Sequence, residues 1–249
     1  MKRSTFWALL VSGLLLAPAA SAVTSVTGDL QAGTGVCDDG GQVSFDSIGV
    51  DSTVDGSPSD GSEFGPGQCI VNILDFNPTA DFRATTAVLA GAEEFDGQLN
   101  FSIQADPGQT IQSLVLQEAG DYSIEGVALT SVEADMLWTV TIVDTTGTLG
   151  APIIINGSAS FSDTATILGD IADTWSLFAA IDIAAVLDEI TGGATRVDVV
   201  IDNVLRASGA GEAFIVKKDI NAGTTTVPES GTAALLGLGL AGLAWRRRR

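Results

Sequence analysis

The stretch QLNFSIQAD sets a period that recurs along the chain. Leu99, Phe101 and Ile103 alternate with Asn100, Ser102 and Gln104. A repeat of two sends successive side chains to opposite faces, so the segment reads as a strand with one face buried and one wet. Later segments of the chain keep this style. ADMLWTVTIVD is β-branched and aromatic, and PIIINGSASFSD resumes after the turn residues Gly147 to Pro152. IQSLVLQEAGDYSIEGVAL contains two apolar runs around Glu118 to Asp121, which predicts a hairpin with Gly120 in its connection.

Toward the end of the pattern, Trp175, Leu177, Ala179, Ile181 and Ile183 again follow a period of two. A strand over 174–183 is expected there, then a helical turn within 184–190. Two closing strands are expected over 196–207 and 212–218, joined through Ser208 to Gly211. Short strands, frequent turn signals and no alternation of strand with helix together predict an all-β fold. The expected architecture is an antiparallel β-sandwich of jelly-roll type, with no internal repeat. NAGTTT, residues 221–226, reads as an unstructured spacer after it.

The two cysteines, Cys37 and Cys69, bracket a segment rich in Asp, Gly and Ser that reads as loops around one or two short strands such as 42–50. In an oxidising compartment they can form only one intramolecular bridge, worth about 3 to 4 kcal/mol in the chain-entropy picture. A thiol nucleophile is the alternative. It lacks a partner, because the chain has no histidine to activate it.

Both ends carry addresses. MKRSTFWALLVSGLLLAPAASAV has Lys2 and Arg3, an apolar run, and then Ala20-Ser21-Ala22 as a small-x-small cleavage pattern, so residues 1–22 read as a secretory signal, with a retained helix as the rival. At the other end, fifteen uncharged residues from Gly231 to Trp245 precede Arg246, Arg247, Arg248 and Arg249. As a helix they reach roughly 22 Å, short for a hydrocarbon core of about 30 Å. Trp245 suits the interface and the arginines suit the cytoplasmic side, which leaves the upstream chain outside.

The tail resembles the PEP-CTERM sorting signal: Val227, Pro228 and Glu229 as the motif, a short transmembrane sorting helix with its LLGLGLAGLA core, then the arginine cluster, over residues 227–249. The usual motif has a second proline where this chain has Ser230. The resemblance implies export across the inner membrane of a Gram-negative bacterium, with signal peptidase and an exosortase as processing enzymes. It also implies delivery to the cell surface or the extracellular matrix, in association with exopolysaccharide and biofilm. It says nothing about catalysis by the chain itself.

Between these addresses, residues 23–226 keep all but one of the 31 acidic residues and only Arg83, Arg196, Arg206, Lys217 and Lys218 as bases. The exported part is therefore more acidic than the whole chain, whose net charge is −20. Such a field repels nucleic acid and favours solubility, cations or basic partners.

Without histidine, Ser-His-Asp and Cys-His machinery and His-based metal sites are excluded. Carboxylate pairs such as Glu93 with Glu94 carry little weight in so acidic a chain, and no enzymatic activity is expected. DSTVDG places Asp51, Thr53 and Asp55 at positions 1, 3 and 5 of an EF-hand-like loop with Gly56 at 6, a candidate Ca²⁺ site. The imitation stops at position 12, which is Ser62. Asp202-Asn203 interrupts an apolar strand, either as a bulge or as part of a carbohydrate-binding surface. Trp138 and Trp175 could stack on sugar rings, though both sit in apolar runs. The sequence thus leaves three functions open: a non-catalytic surface or matrix protein, a carbohydrate-binding module, calcium-assisted or not, and a secreted hydrolase, kept only because paired acids are present.

Overall fold

A computed structural model describes residues 23–54, 57–58, 61–87, 91–125, 129–147, 149–165, 170–187 and 193–228. Ala20, Ala22, Asp55, Glu229, Trp245 and Arg246 to Arg249 lie outside the described residues, as does the expected membrane helix. Among the described residues no helix is long and apolar enough to cross a membrane.

Long strands and their short neighbours make the fold. In chain order the strands are β1 (Thr24–Ser25), β2 (Gly35–Cys37), β3 (Val43–Val54), β4 (Ser57–Pro58), β5 (Gly67–Cys69), β6 (Ile73–Phe76), β7 (Arg83–Thr86), β8 (Gly91–Ala105) and β9 (Gln109–Glu125). They continue with β10 (Ser131–Thr145), β11 (Ile153–Thr164), β12 (Ile171–Asp182), β13 (Ala194–Gly209) and β14 (Glu212–Pro228). A single helical turn, α1 (Ile183–Val186), follows β12, where the Asp182 carboxylate accepts from the Ala185 N–H at 2.9 Å.

Among the described residues every pairing is antiparallel, as the alternating pattern requires of strands with one wet face. The sheet is continuous and folds back on itself. One half runs β11-β10-β13-β8-β3-β2, the other runs from β12 through β9 and β14 to β6, β5 and β1, and among the described residues one pair, Ala194 with Ile111, joins them. The inner faces meet in one core. Phe82 lies 5.0 Å from Phe64 and 4.4 Å from Phe95, while Phe161 of β11 packs 5.2 Å from Tyr122 of β9 and 6.4 Å from Trp175 of β12.

The alternation holds through the strand interiors. Leu99, Phe101 and Ile103 are all buried, and so are Trp175, Leu177, Ala179 and Ile181. The Cys37–Cys69 bridge is present, with Cα atoms 6.1 Å apart, and ties β2 to β5 and so one half of the sheet to the other.

Three expectations are corrected. Gly120 is not a hairpin connection: β9 runs straight through it, because Leu114, Leu116, Glu118, Gly120, Tyr122 and Ile124 all keep the same inward parity. The segment between the cysteines is less loop-like than its composition suggests, since β3 runs to Val54 alongside β8. Residues 221–226 are not a free spacer either. They form β14 with β9 beside them, and Asn221 to Gly223 also pair with β6, because Ile220 and Ala222 continue the inward alternation into the core.

Candidate functional site

Two polar assemblies stand out, one on the wet face of β3, β8 and β13 and one inside the core. On the wet face, Asp51 pairs with Gln98 and Gln98 with Asp202, while Thr53 pairs with Asp96 and Asp96 with Val204. Asp51, Ser52, Thr53, Asp96, Gln98 and Asp202 line a small depression of about 180 Å³. Asp96 is pushed up to about 6, first by burial and then by a hydrogen bond and charge repulsion from Asp202, with Glu94 adding and Arg206 opposing. The rows beyond are held by charge. Arg206 binds Glu94 at 2.6 Å and Asp135 at 2.8 Å, and Arg196 reaches Asp198 at 3.3 Å and the Ser102 hydroxyl at 3.1 Å.

This arrangement does not reproduce an EF-hand. Asp51 and Thr53 stand on a paired strand, two residues apart on one face, where a calcium loop needs an unpaired chain curling round the ion. Among the described residues no group of three or more Asp, Glu, Cys or His side chains is placed to hold a metal ion. Asp202 and Asn203 form no bulge, since their pairing with β8 and β10 runs without a register shift. They simply point opposite ways, Asp202 to water and Asn203 into the core.

The tryptophans do not face the polar surface. Trp175 is buried, and Trp138 is half-buried on the core side of β10, its ring filling the space above Gly157. A wider open groove of about 860 Å³ lies beside the depression, lined among others by Gln31, Ser47, Asp51, Gln98 and Asn100.

The core assembly is one the sequence reading missed. Lys217 of β14 is 0 % exposed; its ammonium donates to Glu118 of β9 at 2.6 Å and to the Asn203 side-chain oxygen of β13 at 2.7 Å. Glu118 is 1 % exposed and Asn203 is 0 % exposed. The Phe82 ring lies under the ammonium at 4.9 Å and Trp175 at 5.9 Å. Local geometry makes the space. A register shift between Lys217 and Asp219 keeps both Lys217 and Ile220 facing inward, and Gly97 opposite Asn203 leaves room for Phe82.

Removal from water pushes Glu118 up and Lys217 down, each toward its neutral form. Their mutual attraction opposes both shifts, and Asn203 also favours the charged carboxylate. Asn203 lies close enough to act on that charge, yet Glu118 Oε1 and Asn203 Nδ2 have no regular hydrogen-bond partner among the described residues. The signal was in the sequence as parity: Glu118 follows Leu114 and Leu116, Asn203 sits between Ile201 and Leu205, and Lys217 follows Ala213 and Ile215. Each is a polar residue at a position the alternation assigns to the core.

The class that this fold defines is an antiparallel all-β domain whose sheet folds back, nearly closed, around one core. Residues 226–249 match the PEP-CTERM protein-sorting motif, so the chain carries that sorting signal at its C-terminus. Proteins with this motif are exported and cell-surface associated, and the motif implies exosortase processing. A comparison with curated proteins gave no match.

Among solved structures, the chain is similar at 14 % identity to the enzymatically active domain of bacteriophage CBA120 tailspike protein 4, covering 72 % of this chain and 19 % of that one, with a TM-score of 0.21. It is similar at 11 % identity to TmCBM61 in complex with β-1,4-galactotriose, over 72 % of this chain and 88 % of that one, with a TM-score of 0.20. The family 11 carbohydrate-binding module from Clostridium thermocellum, in complex with a mixed-linked tetrasaccharide, matches at 11 % identity over 82 % and 96 %, with a TM-score of 0.17. The chain spans about a fifth of the tailspike's length. At these scores the likenesses carry no functional argument.

Proposed function

We propose that the protein is a non-catalytic component of the cell surface or extracellular matrix of a Gram-negative bacterium, associated with exopolysaccharide or biofilm. On this reading its β-sandwich is of jelly-roll type. It is exported through its N-terminal signal, held in the inner membrane by the C-terminal helix and released by an exosortase. The observation that carries the reading is the sorting motif at residues 226–249 behind a folded acidic domain. Intact-mass spectrometry of the protein from its host, with and without the processing protease, tests it. The mature form is expected to lack Arg246 to Arg249, and a mature form that retains them overturns the sorting route.

A second reading is a carbohydrate-binding module, calcium-assisted or not. It is favoured by the open polar groove beside Asp51, Gln98 and Asn100, whose amides and carboxylate suit sugar hydroxyls. It is weakened by the inward placement of Trp138 and Trp175. Polysaccharide pull-down with Asn100→Ala and Asp202→Ala, in Ca²⁺ and in chelator, separates the two, and absence of binding across acidic and neutral polymers removes the second.

A further inference from the structure

The buried Lys217, Glu118 and Asn203 have no evident reason to be there if they only stabilise the fold. Replacing a buried ion pair by apolar residues of the same volume is commonly neutral or stabilising. Here a charged amine, a carboxylate and an amide converge from three strands into an aromatic pocket, in a chain whose other core positions are mostly apolar. The arrangement has the parts needed for amide exchange: a nucleophilic nitrogen, an amide carbonyl beside it, and a carboxyl able to move protons between them.

We propose that Lys217 and Asn203 join in an intramolecular isopeptide bond, formed by the protein itself with Glu118 as the proton carrier. Lys217 Nζ lies 2.7 Å from Asn203 Oδ1. The carbonyl carbon is one bond further, so it is at most about 3.9 Å from the nitrogen. That is just beyond the separation of a near-attack pair, and oriented groups at such distances gain effective molarities of about 10⁵ to 10⁸ M.

The steps balance. The Lys217 ammonium first passes a proton to Glu118, which costs no net charge and is the direction in which burial drives both groups. The neutral Nζ adds to Cγ of Asn203, with the Glu118 acid stabilising the carbonyl oxygen. The Nζ–Cγ bond is retained, the Cγ–Nδ2 bond breaks, and one further proton from Nζ reaches Nδ2 through Glu118. Ammonia leaves, Glu118 ends protonated, and nothing is oxidised or reduced. Asn203 Nδ2, the leaving nitrogen, is close enough to Glu118 to favour its charged form, which places it to receive the proton that Glu118 carries. The product is a neutral amide next to a neutral acid, so a buried pair of charges disappears. Full burial also keeps out the water that would compete as nucleophile.

The link would join β13 to β14, one half of the folded sheet to the other. It lies in the core, and the Cys37–Cys69 bridge ties the halves elsewhere by a bond that reductants can open. An amide has no such weakness. The bond would form whatever the protein binds and by whatever route it is exported.

The test is tryptic peptide mapping of the full chain. Cleavage after Arg206 separates Asn203 from Lys217, so the bond would connect peptide 197–206 to peptide 207–218. The expected result is that linked pair, lighter than the sum of its parts by one ammonia, about 17 Da, with neither free peptide remaining. Glu118→Gln and Lys217→Arg should return only unlinked peptides, 197–206 and 207–217, each at the mass its own sequence requires, because trypsin also cuts after a free residue 217. Wild-type protein that yields only free, unmodified peptides overturns the proposal, whatever the variants do. A loss of ammonia from 197–206 without the link also overturns it, since that marks cyclisation of Asn203 alone. A link that persists in Glu118→Gln overturns the role given to Glu118.

Discussion

Trp175 donates its indole N–H to the Val216 carbonyl at 3.2 Å, and it does so across Gly120. Gly120 pairs with Trp175 on one side and Lys217 on the other, and a Cβ there would stand 1.9 Å from the Val216 oxygen and 2.7 Å from the indole nitrogen. The glycine is therefore a packing residue in a straight strand. Gly120→Ala should lower stability by about 2 to 3 kcal/mol, the usual cost of overpacking a core. Gly150→Ala, where the added carbon meets nothing within 4 Å, should be close to neutral. Urea unfolding of the two variants checks the contrast, and equal midpoints would refute it.

The Cys37–Cys69 bridge closes a loop over a sequence separation of 32 and links β2 to β5. Cys37→Ser with Cys69→Ser should cost about 3 to 4 kcal/mol in the loop-entropy model. The loss should appear in the urea midpoint with the core tryptophan fluorescence of the folded state unchanged. A double variant as stable as the parent would mean that the unfolded chain is already constrained there.

The period of two makes most of the strands legible in the sequence, because a sheet with one wet face writes its geometry directly into the alternation. The same rule explains the misreadings. Gly120 looks like a turn because glycine usually marks one, whereas its absent side chain is used by Trp175 from the neighbouring strand, a contact no local pattern encodes. Residues 221–226 look like a spacer because Gly and Thr are small and polar. Their partners, Ser113 to Leu116 of β9 among them, are more than a hundred positions away. The buried cluster is hidden for a related reason. Glu118 and Lys217 already stand on paired strands, β9 and β14, but Asn203 reaches them only when the half-sheet holding β13 folds over theirs, a relationship that parity along one strand does not encode.

Asp96 gives the acidic face a pH dependence of definite sign. Its pKa rises from the ordinary 3.8 to about 6, so between these values the folded chain holds a proton that the unfolded chain has lost. The resulting stabilisation is complete below pH 3.8 and disappears as pH rises through about 6. Because the carboxyl is partly exposed, solvent screening leaves a difference on the order of 1 kcal/mol. Asp96→Asn should therefore be more stable than the parent at pH 7 and lose that advantage by pH 4. Urea midpoints of both proteins at pH 4, 5, 6 and 7 measure it, and parallel profiles would remove Asp96 as the origin.

The final strand sets where the chain can be shortened. Val227 and Pro228 still pair with Thr110 and Gln109, and the Thr110 hydroxyl donates to the Val227 carbonyl at 3.3 Å. The sorting motif thus begins on the sheet itself, with no slack between fold and signal. Ending the chain after Pro228 removes only residues outside this pairing and should leave the unfolding midpoint of the exported domain unchanged. Ending it after Asp219 removes Ile220 and Ala222, each 1 % exposed, together with the partners of β6. Losing those two side chains alone costs about 2 to 4 kcal/mol, and β6 then keeps β5 but loses β14, one of its two strand neighbours. Thermal unfolding of the two truncated proteins distinguishes the cases: a cooperative transition at the parent temperature for the longer, and a transition lowered by about 10 °C or more, or lost, for the shorter, on the scale of about 2 to 4 °C per kcal/mol for a domain of this size. If the shorter protein unfolds at the parent temperature, residues 220–226 are a spacer after all.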